Sequence, residues 1–68
     1  MRLSELDIPK QQLFDLVESY IYNARNKAIF LKKIEGYTYE ELAEMYHLST
    51  VRIKEIVKHC YNKINKHI

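Results

Sequence analysis

Two helix-start signals near the middle of the chain constrain the fold more than any other feature. Thr38-Tyr39-Glu40-Glu41 is a capping box, in which the Thr38 hydroxyl meets the Glu41 amide and the Glu41 carboxylate reaches back. It opens a short helix over 39–46, with Leu42, Ala43 and Met45 or Tyr46 facing inward. Ser49 then caps a longer helix over 50–66, whose apolar stripe is Ile53, Ile56, Val57, Cys60 and Ile64. Only His47-Leu48-Ser49 separates the two. A short helix, a three-residue turn and a longer helix describe a helix-turn-helix.

The joint has its own steric demands. Ala43 supplies a small side chain at the closest crossing, while Leu42, Leu48, Ile53 and Ile56 are spaced to bury it. His47 stands where glycine is commonest, so this position predicts a non-glycine residue in or near the left-handed region.

Upstream, Asp7 is placed to cap a helix over 9–22, with Pro9 in its first turn. Leu13, Leu16, Val17, Tyr20 and Ile21 form its stripe. Asn23 caps a second helix over 24–35. There Ala28, Leu31 and Ile34 form a stripe that Ile29 and Phe30 widen, which predicts a central element packed by several neighbours. Gly36, the only glycine, ends it in a left-handed conformation. Sixty-eight residues, 47% of them apolar, leave room for one small domain over 1–68, with no space for a cleft between domains. The expected fold is all-α: a small four-helix domain, or three- to four-helix orthogonal bundle, containing the helix-turn-helix.

The net charge of +2 hides an asymmetry. Through Leu48 there are six basic and eight acidic residues; from Ser49 onward there are five basic (Arg52, Lys54, Lys58, Lys63, Lys66) against Glu55 alone. A basic last helix on an acidic body is a footprint suited to double-stranded DNA. Recognition helices enter the major groove by their N-terminal part, which makes Thr50, Val51, Lys54, Glu55 and Lys58 the expected base contacts. Lys54 suits guanine O6/N7, Glu55 cytosine N4 and Val51 a thymine methyl. Arg52, Lys63, Thr38 and Tyr39 are the expected phosphate contacts, with Lys58 also able to serve there. Glu55 has a competing structural role as an i,i+4 partner of His59.

Other chemistries find no constellation. Asp15 and Glu18 read as a solvated helix face rather than an acid/base pair. His47, His59, His67 and Cys60 lack metal-ligand spacing, and adjacent His59 and Cys60 point about 100° apart on a helix. Cys60 reads as a small core residue. No enzyme, cofactor or metal site is expected. Tyr37, Tyr39 and Tyr46 surround the turn and suit a protein contact surface. A single cysteine, a start at Met1-Arg2-Leu3-Ser4 without an apolar signal segment, and no stretch of ~18 apolar residues predict a cytoplasmic protein without a membrane span.

The run from Ile29 through Lys33, Gly36 and Thr38-Tyr39-Glu40-Glu41-Leu42-Ala43 to Tyr46 resembles region 4 of bacterial sigma-70-type factors. The continuation Leu48 to Ile56 fits the same pattern, and the likeness spans roughly Arg25 to Ile64. Response-regulator effector domains of the LuxR type share much of this spacing. The resemblance implies a transcription regulator, free-standing as in small phage or mobile-element proteins, because the polymerase-gripping and promoter-melting parts of a whole sigma factor have no room here. It also implies an alternative: region 4 docks on RNA polymerase, so such a module can act on polymerase or another host protein through Glu40, Glu41 and Glu44 without reading DNA. A marginal core and a recognition helix that covers only a half-site favour a homodimer.

Overall fold

A computed structural model describes residues 9–67, and among them four helices and no strands form. The helices are α1 (Lys10–Tyr20), α2 (Ala24–Ile34), α3 (Tyr39–Tyr46) and α4 (Thr50–Asn65). The all-α expectation holds. Three helices are shorter than expected by a residue or two at their ends, although the Ile21 and Glu35 amides just past α1 and α2 still donate to Val17 O and Leu31 O.

Asp7, the expected first cap, lies outside the described residues. Pro9 takes the N-cap position itself rather than the first turn, with φ −59° and no side-chain cap, and its carbonyl accepts from the Leu13 amide at 3.0 Å. Leu13, Val17 and Ile21 are buried one turn apart, whereas Leu16 reaches only the edge of the core and Tyr20, half-buried, stacks on the His67 ring at 3.7 Å. Ile21 is extended, at φ −106° and ψ 108°, so α1 ends before residue 22 while the Ile21 side chain stays buried.

Asn23 caps α2 by accepting from the Asn26 amide at 3.0 Å. The buried centre of α2 is Ile29 and Phe30, both without solvent exposure, while Ala28, Leu31 and Ile34 are half-buried. This reverses the weighting given to the two groups by spacing. α2 touches all three other helices, so its apolar arc is broad and its middle, not one edge stripe, is sealed. The helix ends in a full Schellman arrangement: the Gly36 amide donates to Lys33 O at 3.1 Å and the Tyr37 amide to Lys32 O at 3.2 Å. Gly36 sits at φ 112°, where a side chain would be strained.

α3 opens with the capping box. The Thr38 hydroxyl accepts from the Glu41 amide at 3.0 Å, and the Glu41 carboxylate accepts from the Thr38 amide at 2.9 Å. Leu42 is fully buried; of the two alternatives behind it, Tyr46 turns inward and Met45 remains 47% exposed. His47 then adopts φ 55° and ψ 42°, the left-handed conformation its position demanded. Its amide and that of Leu48 both donate to the Ala43 carbonyl, closing the end of α3. Ser49 caps α4 by accepting from the Arg52 amide at 3.1 Å.

α4 is the hub. It packs on each of the other helices through Ile53, Ile56, Val57, Cys60 and Ile64, none more than 2% exposed. These join Leu13, Val17, Ile21, Ile29, Phe30 and Leu42 in one apolar cluster, with Ala43, Leu48 and Tyr46 at its border. The far side of α4 faces solvent.

Candidate nucleic-acid interface

A 16-residue helix with one buried stripe presents three other sectors. At about 100° per residue, the sector opposite the stripe carries Val51, Glu55, Lys58 and Asn62. All four are exposed, Val51 to 65%. Three of these were expected as base contacts. Asn62 was not, because it lies beyond the N-terminal half of α4; helix periodicity alone places it on the same sector.

The remaining expected contacts lie on two flanks. On the flank toward α3 stand Thr50, half-buried at the first turn, and Lys54. The Lys54 ammonium lies 5.5 Å from the centroid of the Tyr39 ring, so this side chain leans off the outer sector. Tyr39 is half-buried at the start of α3 and carries a second cation, Lys33 Nζ, at 4.4 Å. Thr38 beside it is exposed, with its hydroxyl and its amide both committed to the capping box. Lys33 belongs to α2, outside the α3–α4 pair, and sequence spacing gives no sign of it.

On the flank toward α2 lie Arg52, His59 and Lys63. Arg52 pairs with Glu55 at 3.8 Å, one turn along the helix. Glu55 therefore takes Arg52 as its partner rather than His59, since the long arginine side chain spans the turn between them. Both side chains are more than half exposed, so the pair contributes little to stability and opens readily toward a polyanion. His59 instead faces an open cleft of about 390 Å³ with Arg52, Glu55, Ile56 and Asn26. Lys63 is half-buried, and its ammonium stands 4.9 Å from the ring of the exposed Tyr22.

Cys60 takes no part in this surface. It is 1% exposed, its thiol donates toward the Asn26 carbonyl at 3.9 Å, and burial pushes its pKa up to about 11 against the opposing pull of Lys63. A thiol so held is not a nucleophile at neutral pH. No group of three His, Cys, Asp or Glu side chains suited to a metal ion forms among the described residues, and no helix among them is long and apolar enough to cross a membrane. Tyr37, Tyr39 and Tyr46 are each half-buried against the core. Compared with known protein families, curated proteins and solved structures, the chain has no match.

The arrangement is thus an exposed sector of mixed polarity between two rows of cations. Glu40, Glu41, Glu44 and Met45 form a separate, acidic outer face on α3.

Proposed function

We propose that this chain is a sequence-specific DNA-binding regulator of transcription, similar to sigma region 4, acting through a helix-turn-helix formed by α3 and α4. The observation that carries the reading is the layout of α4: a reading sector of Val51, Glu55 and Lys58, flanked on both sides by cations. A helix about 10–12 Å across with its side chains fits a major groove about 12 Å wide, and the flanks then meet the two bordering strands. Val51 offers an apolar contact to a thymine methyl, Glu55 an acceptor for cytosine N4, and Lys58 a donor to guanine. Arg52, Lys63, Thr38 and Tyr39 position the duplex through phosphate. Two copies would place their α4 helices ~34 Å apart, one turn of DNA. Such work belongs in the cytoplasm of a bacterial cell.

A salt titration of duplex binding by fluorescence anisotropy tests this. Counterion release requires log K to fall steeply and linearly with log salt. A second reading is favoured by the acidic outer face of α3, where Met45 is 47% exposed among Glu40, Glu41 and Glu44: a contact with RNA polymerase or another protein. Absence of duplex binding even at low salt, with retained binding to polymerase, would decide for that second reading.

A further inference from the structure

We infer that Lys33, Tyr39 and Lys54, contributed by α2, α3 and α4, form a preorganised seat for one DNA backbone phosphate. The inference rests on the DNA reading above and moves Lys54 from the base-reading group to the phosphate-holding one.

Both ammoniums gather on a single ring, Lys33 at 4.4 Å and Lys54 at 5.5 Å from its centroid. Lys33 also donates to the Tyr37 carbonyl at 3.2 Å, which fixes its head group at the C-terminal end of α2. Neither lysine is paired with a carboxylate: the ion pairs among the described residues are Lys27–Glu18 and Arg52–Glu55. Two like charges gathered around one aromatic ring repel each other, and an anion held between them relieves that repulsion. The ring attracts both cations and restricts their long side chains before any ligand arrives. Less order then remains to be imposed on binding.

Position selects the anion. The seat lies on the α3 flank of α4, beside the Val51–Glu55–Lys58 sector, where the strand bordering an occupied groove must pass. Glu40 and Glu41 in the first turn of α3 weaken that helix terminus as an anion site. The two lysines supply the positive charge that the terminus has lost. This explains why a residue of α2, outside the α3–α4 pair, belongs to the surface.

The test uses the full chain and a duplex of arbitrary sequence, with anisotropy read over a salt series. Lys33→Gln should reduce affinity about eightfold at about 0.1 M salt, with the difference vanishing toward ~1 M, and lower the salt slope by about 0.9. Lys10→Gln, on α1, should leave both unchanged. Tyr39→Leu removes no charge, yet should weaken binding and make Lys33→Gln nearly silent in its background. Tyr39→Phe keeps the ring and should therefore keep the Lys33→Gln loss that Tyr39→Leu abolishes. The seat is overturned if the parent binds duplex with a steep slope while Lys33→Gln behaves like Lys10→Gln. A parent that binds no duplex at any salt overturns the DNA reading and the seat together.

Discussion

His47 shows how much one backbone conformation decides. With φ at 55° and ψ at 42°, it lets α3 end and α4 begin within three residues, and it does so without glycine's freedom. A left-handed residue with a Cβ costs roughly 1–2 kcal/mol, whereas glycine carries about 0.5–1 kcal/mol of extra unfolded-state entropy. His47→Gly should therefore stabilise the chain, by up to about 1 kcal/mol, seen as a rise of a few degrees in Tm. A lower Tm would mean that the imidazole contributes more than its strain removes. Cys60 makes an opposite kind of statement. Its folded pKa of about 11 exceeds the ordinary 9.0, so the folded chain holds a proton that the unfolded chain releases. Stability from this group is complete below pH 9.0 and falls as pH rises toward 11. Denaturant midpoints should drop over that range in the parent, and less steeply in Cys60→Ala.

The elements differ in how far the sequence announced them. α3 was legible almost atom by atom, because a capping box is a local code: Thr38 and Glu41 satisfy one another without outside help. Thr38→Ala should cost about 0.5–2 kcal/mol, measurable by chemical denaturation. The Glu41 carboxyl is held below its ordinary value of 4.5, first by the Thr38 amide and then by the Thr38 hydroxyl. Its contribution is therefore present above pH 4.5 and fades as pH falls through the lowered folded value. Glu41→Gln should flatten the acid limb of the stability profile. α2 was less legible. Ala28, Leu31 and Ile34 have the tidier spacing, but Ile29 and Phe30 are sealed, since neighbours on three sides decide which part of a broad apolar arc is covered. No local pattern carries that information. Ala43 lies between these extremes, bordering the core with its carbonyl taking both the His47 and Leu48 amides. Ala43→Leu should overpack the α3–α4 crossing by ~1–3 kcal/mol, and an unchanged Tm would count against a close crossing there.

At the scale of the whole molecule, the surface was half legible. Helix periodicity found Val51, Glu55 and Lys58, because an outward sector is the complement of a buried stripe. Lys33 and the lean of Lys54 toward Tyr39 depend on how α2 and α3 meet α4, which only the assembled fold supplies. That same assembly separates the buried stripe from the proposed DNA-facing sector along a single helix. α4 packs on α1, α2 and α3, so the core has no part independent of it. Ile64 is fully buried, whereas Lys63, its neighbour, is turned to the flank with its ammonium over Tyr22. Ile64→Ala should cost about 2–5 kcal/mol. A core this small rarely supplies more than about 3–5 kcal/mol in total, so all four helices should be lost in one transition by circular dichroism. Lys63→Ala should keep the helical signal and melting cooperativity while weakening duplex binding equally for all sequences, with the salt slope lower by about one unit. Loss of α1 alone in Ile64→Ala would divide the fold into separable parts. A salt slope unchanged in Lys63→Ala would remove the α2-side flank from the proposed interface.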